Sequence, residues 1–137
     1  MAQIPFFIDK IQSILTSDAT LAAAGITQKN VYRRYLPMVK NPPAPHITLS
    51  YEVERTDVSM NIDKVKLYII LHTQEFLETY ELQGVLQNLI HRLTYADENI
   101  VLYKCYNVGG PAVPYFDKEL NHWQTCLEFD CEVGDST

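Results

Sequence analysis

The run His122–Val133, HWQTCLEFDCEV, constrains the fold of this chain more than any other segment. Its odd positions are Trp123, Thr125, Leu127, Phe129, Cys131 and Val133; its even positions are His122, Gln124, Cys126, Glu128, Asp130 and Glu132. A period of two held over twelve residues marks a long β-strand with one apolar and one polar face. The apolar face needs a second layer to cover it. The polar face carries Glu128, Asp130 and Glu132 in a row, about 7 Å apart because a strand rises ~3.3 Å per residue. No cation on the run offsets them. A solvated strand tolerates such a row, and it gains a role only if it lines a groove or a pore.

Two further runs alternate in the same way. In His46–Glu54, Ile47, Leu49, Tyr51 and Val53 face away from His46, Thr48, Ser50, Glu52 and Glu54. In Lys64–His72, Val65, Leu67, Ile69 and Leu71 oppose Lys64, Lys66, Tyr68, Ile70 and His72. Between them, RTDVSMNID (55–63) is polar and punctuated, so the pair reads as an antiparallel hairpin with a long tip. Long connections in compact domains are commonly contact sites, and Arg55, Asp57 and Met60 are the candidate interface residues here. Ile100–Tyr106, Val113–Phe116 and Val31–Leu36 are shorter strand candidates. Pro37–Pro45 holds four prolines in nine residues and reads as a stiff extended connection.

Helical spacing appears twice. Residues 5–16 place Phe7, Ile8, Ile11, Ile14 and Leu15 on one stripe, with Pro5 in the first turn. Ala19–Ala24 adds a short turn stopped by Gly25. Phe76–Leu93 repeats Leu77, Tyr80, Leu82, Val85, Leu86, Leu89, Ile90 and Leu93 at three and four. Gly84 in its middle suggests close packing on the sheet. The expected class is α+β in two layers: a mostly antiparallel sheet with two helices packed on one face, in one domain over residues 1–137.

The formal net charge of −6 argues against a groove that grips nucleic acid, which needs a basic footprint. Nine tyrosines suit half-buried or interface positions. No apolar stretch is long enough for a membrane span, and MAQIPFFIDKIQ lacks the features of a signal peptide. Cys105, Cys126 and Cys131 have no metal-ligand spacing and read as reduced thiols of a cytoplasm. No metal or cofactor is implied.

Catalytic patterns are sparse. Gly109-Gly110 lies between strands with no following helix or lysine, so it reads as a turn and not a phosphate loop. His46, His72 and His122 fall on polar strand faces, where they are expected to be exposed at strand ends; two would meet if those faces coincide. His91, beside Arg92, reads as a surface residue. The one enzymatic arrangement available is Cys126 with His72 or His122, a thiol with an imidazole base. Nothing around Cys126 marks it as a nucleophile.

Taken along the chain, an N-terminal helix, VYRRYLP, PHITLSY, DKVKLYIILHT, QEFLETYELQGVLQNLIHRL and PYFDKELNHWQTCLEFDCEV resemble the tail terminator (tail completion) proteins of long-tailed bacteriophages. The matching elements are Pro45-His46-Ile47-Thr48-Leu49, then Tyr115-Phe116-Asp117, then Trp123 before the last alternating strand. The resemblance covers residues 5–133, and its motifs are structural. It implies a non-enzymatic virion protein, assembled in the host cytoplasm into a homohexameric ring on the tail tube. Such a ring stops tube polymerisation and gives the head–tail connector its docking face, while DNA passes without specific binding. Under this resemblance Glu128, Asp130 and Glu132 would charge the lumen. The alternatives are another neck or tail component of the same fold, and a small cytoplasmic enzyme or ligand-binding domain using Cys126, His72 and His122.

Overall fold

A computed structural model of the chain describes residues 4–33, 44–109 and 113–136. The elements are α1 (Ile4–Ser17), α2 (Ala19–Ala23), a 3₁₀ turn (Gln28–Asn30), β1 (Val31–Arg33), β2 (His46–Asp57), β3 (Ile62–Thr73), α3 (Phe76–Ile90), β4 (Tyr95–Ala96), β5 (Ile100–Asn107), β6 (Tyr115–Asp117) and β7 (His122–Asp135). The strands form one sheet in the order β1-β2-β3-β7-β5-β4, and β6 pairs with the first residues of β7. All pairings are antiparallel except β1 with β2. The expected α+β architecture is present, with that parallel edge and the short β4 as additions.

The alternating runs dictate the layers. Val65, Leu67, Ile69 and Leu71 of β3 and Leu127, Phe129, Cys131 and Val133 of β7 are all buried on one face. Ile47 and Leu49 of β2 and Leu102 and Cys105 of β5 join the same core. Helix α1 buries Ile4, Phe7, Ile8, Ile11 and Leu15 against it, which is the stripe its spacing prescribes. The short helix α2 starts on Asp18, whose Oδ2 accepts from the Leu21 N–H at 2.9 Å. It ends at Gly25, which takes φ 98 while the Ile26 N–H reaches back to the Leu21 carbonyl at 2.9 Å. Asn30 then donates to the carbonyls of Gly25 and Pro45, at 2.6 and 2.9 Å, and ties this segment to the start of β2.

Helix α3 departs from its sequence pattern. Its buried residues are Thr79, Leu82, Gln83, Leu86 and Ile90. Leu77 and Tyr80 are 68% and 60% exposed. Buried polar contacts select the inward face: Thr73 and Thr79 share a hydroxyl contact, and Thr125 Oγ1 donates to Gln83 Oε1 at 3.0 Å. Counting apolar residues alone rotates the helix toward Leu77 and Tyr80. Gly84 does not pack on the sheet; a Cβ there would meet nothing within 4 Å. The helix stops at Ile90, short of Leu93. His91 and Arg92 then cover the edge of β5: His91 Nδ1 accepts from the Asn107 N–H at 3.0 Å, and the Arg92 N–H donates to the Cys105 carbonyl at 2.7 Å. His91 is therefore half-buried and bonded, not a free surface residue.

The hairpin is tighter than its composition suggests. Pairing continues through Arg55↔Lys64, Thr56↔Asp63 and Asp57↔Ile62. Only residues 58–61 remain as the turn. Of the expected strand Val31–Leu36, residues 31–33 form β1 and the rest lie outside the described residues, as does most of the proline-rich connection.

Phe129 is fully buried in the middle of β7. Replacing it with Ala should destabilise the fold by about 3–5 kcal/mol, the usual cost of deleting a buried ring and leaving its cavity. Urea unfolding followed by circular dichroism measures this. A loss under about 1 kcal/mol would contradict the core position assigned to it.

Candidate functional site

Three surfaces carry the candidate residues, and the register of the sheet builds each of them. The first is the face of the sheet opposite the helices. Pairing of β3 with β7 sets Lys64 beside Glu132, Lys66 beside Asp130 and Tyr68 beside Glu128. Lys66 Nζ lies 3.5, 3.6 and 3.7 Å from Glu54, Glu128 and Asp130, and Lys64 Nζ lies 3.6 Å from Glu132. Desolvation opposes its charge, yet Glu128, Asp130 and Glu54 together hold the Lys66 ammonium above the ordinary lysine range. Lys104 lies opposite Glu132 on the other side of β7. Across this face Lys64 and Lys66 form ion pairs with Glu54, Glu128, Asp130 and Glu132, while Lys104 forms none among the described residues. Glu128, Asp130 and Glu132 therefore do not form an uncompensated negative row. Cross-strand pairing, invisible within one strand, offsets them. These pairings weaken the field on which the lumen-charge reading relies, although Glu52, Glu54, Glu128, Asp130 and Glu132 still outnumber Lys64, Lys66 and Lys104 on this face.

The second surface is the β2–β3 turn. Asp57 Oδ1 accepts from Ser59 Oγ at 2.8 Å and from the Met60 N–H at 3.2 Å. These bonds, the Ser59 one first, hold its carboxyl below the usual range. Asp57 thus shapes the turn rather than offering a free charge. The exposed groups at the tip are Val58 and Met60. Arg55 sits in the paired part of the hairpin, opposite Lys64.

The third feature is where β2, β3 and β7 meet β6. His46 pairs with His72 across the strands. Their rings stack at 4.0 Å with an 11° interplanar angle. His72 Nδ1 lies 2.9 Å from His122 Nε2. One of these nitrogens must donate and the other accept, so the bond requires at least one neutral ring. Tyr32 meets the edge of His46 at 5.6 Å, and Asp117 of β6 lies opposite His122. All three histidines are buried, at 1%, 7% and 5% exposure. The expectation of exposed strand-end histidines is thus wrong: the faces coincide, the condition under which two would meet, and all three pack together. Burial and the neighbouring His46 and His122 push His72 down to about 3 against the opposing pull of Asp117. Burial likewise lowers His122. Two stacked rings cannot aim their in-plane lone pairs at one ion, and no metal-holding group of His, Cys, Asp or Glu occurs among the described residues.

Cys126 does not complete a nucleophile pair. It lies opposite Ile70, whereas His72 lies opposite Gln124. Burial, and then Glu128, push the Cys126 thiol up, the reverse of what a thiolate nucleophile needs. Cys105 and Cys131 are a buried cross-strand pair of thiols, 3.3 Å apart.

A fourth surface was not singled out by sequence reasoning. At the start of α3, Phe76 stacks on Tyr80 at 6.3 Å and meets the edge of Trp123 at 5.1 Å. Trp123 in turn meets Phe116 of β6 at 5.5 Å. Phe76, Leu77, Tyr80, Tyr115 and Phe116 are all exposed. The signal was available as a surplus of apolar residues around α3, more than one buried stripe can hold. An exposed apolar patch of this kind commonly marks a protein contact.

No family model matches the sequence, and no curated protein matches it. The fold does have a counterpart among solved structures. A chain of the virion of a native gene transfer agent particle superposes with a TM-score of 0.71 at 16% identity, over 90% of this chain and 91% of that one. The likeness establishes a shared fold. Among the described residues no helix is long and apolar enough to cross a membrane.

The histidine cluster yields a stability dependence on pH. His72 and His122 have folded values below the free imidazole value of about 6.5, so the unfolded chain takes up protons first as pH falls. Their contribution is fully present above about pH 7 and is lost as pH drops from about 6.5 toward about 3. The urea midpoint should fall between pH 7.5 and pH 5, and the slope should flatten in His72→Leu. An unchanged midpoint over that window would refute the assignment.

Proposed function

We propose that this protein is a structural component of a phage-like particle and acts as its tail terminator. The observation that carries the reading is the fold shared with a gene transfer agent virion chain over nearly the whole length of both chains. The sequence resemblance, from Pro45-His46-Ile47-Thr48-Leu49 to Trp123, supports the finer assignment. The raised Cys126 thiol, which lies opposite Ile70 and not His72, supports a non-enzymatic role.

In this reading six copies form a ring on the last ring of tail tube protein, stop its growth and present a face to the head–tail connector. DNA passes through without specific binding, in keeping with the acidic chain. The β2–β3 turn is the proposed contact with a neighbouring component. Val58 and Met60 offer its apolar surface, Asp57 holds its shape, and Arg55 flanks it.

Purified protein mixed with purified tail tubes should appear as a ring on one end of each tube in negative-stain images. Protein that remains monomeric and leaves the tubes bare would overturn the proposal. Decoration along the tube wall would assign the chain to another tail component. Replacing Val58–Asn61 with a two-residue Gly-containing turn should leave the melting temperature within a few degrees of the parent's and abolish tube capping. Normal capping by that variant would remove the turn from the contact.

A further inference from the structure

The aromatic patch on α3 has a complementary surface on the same chain, and the two define how one copy meets the next. The outward side of α3 carries Leu77, Tyr80 and Gly84 at spacings of three and four, continuous with Phe76 and Phe116. Gly84 is the informative member. Glycine inside a helix is unfavourable, and nothing within the chain explains it, since a Cβ there would meet open space. A glycine on an exposed helix side permits close approach by another body. The rim of this surface is acidic: Glu75, Glu78 and Glu81 make no ion pair among the described residues.

At the other end of α3 the chemistry reverses. Tyr106 is exposed and lies under Lys104, whose Nζ is 5.2 Å from its ring centroid. Arg92 is exposed just past the helix end, with its backbone N–H on the carbonyl of Cys105, the residue before Tyr106. Neither Arg92 nor Lys104 makes an ion pair among the described residues. One end of α3 thus offers an apolar surface with unpaired acids, and the other an exposed tyrosine with unpaired cations.

We infer that the occupant of the α3 surface is a second copy of this chain, which seats its Arg92–Lys104–Tyr106 corner against Leu77, Tyr80 and Gly84. Two different patches in contact make a heterologous, head-to-tail interface, the type that closes into rings. Opposite charges flanking an apolar contact fix its register and disfavour patch-to-same-patch pairing. The inference rests on the ring reading and names the surfaces that build it.

The test uses the full chain with tail tubes and reads the ring fraction by mass photometry and imaging. Glu78→Lys with Glu81→Lys, on one surface, should lower the ring fraction about tenfold or more. Arg92→Asp with Lys104→Glu, on the other, should do the same; Asp is chosen because residue 92 has φ 67, a region Asp tolerates. All four changes in one chain should restore at least half of the parent's ring fraction. Gly84→Leu should melt no lower than the parent and fail to form rings. Parent-like rings in either charge variant or in Gly84→Leu would overturn this interface and leave the ring reading standing. Loss in both charge variants without rescue in the combined chain would exclude a second copy as the occupant. A parent chain that forms no ring on tubes would sink both.

Discussion

The twelve-residue antiparallel pairing of β3 with β7 is the constraint on which the rest of the structure depends. These two strands lie side by side in the middle of the sheet, and every other layer takes its position from them. Their register places Leu67 beside Phe129 and Ile69 beside Leu127, on the face that α1 and α3 cover. The same register places Lys66 among Glu128, Asp130 and Glu54 on the opposite face. A slip of one residue would turn every apolar side chain of one strand to the wrong face. It would also set Lys64 and Lys66 opposite apolar residues of β7 such as Cys131 and break their ion pairs. Apolar burial and ion pairing therefore agree on one register, which is how a chain specifies a single sheet.

The two faces contribute differently. The helix-covered face supplies burial. The open face is polar, and its excess of carboxylates on β2 and β7 is partly offset by Lys64 and Lys66 of β3 between them. At its end the polar row gives way to three packed imidazoles, of which burial pushes His72 and His122 down. That cluster links β2, β3 and β7, while Asp117 brings β6 against it and Phe116 continues into the aromatic patch. A buried imidazole cluster and a surface for a partner are thus neighbours through one short strand.

The candidate thiol and imidazoles do not make a nucleophile pair. The Cys126 thiol is pushed up, the imidazoles are pushed down, and the two do not face each other across the sheet. What the molecule presents to its surroundings is instead exposed apolar and aromatic area at the start of α3 and at the β2–β3 turn. The fold is shared with a chain of a gene transfer agent virion.

Much of the sheet was legible in the sequence, because a period of two is local: Ile47 and Leu49, Val65 to Leu71 and Leu127 to Val133 declare their buried face without reference to any neighbour, while Tyr51 and Val53 further along β2 are half-buried and exposed. The α1 stripe and the Gly25 stop were legible for the same reason. The face of α3 was not, since Thr79 and Gln83 are drawn inward by Thr73 and Thr125, residues outside the helix. Nor could the sequence show that His46, His72 and His122 meet, or that Lys64 and Lys66 neutralise Glu128, Asp130 and Glu132. By itself the sequence determined the apolar face of the central strands and of the first helix. The tertiary structure alone decided which strands lie side by side and in what register, because cross-strand contacts join residues tens of positions apart and leave no periodic trace in either segment.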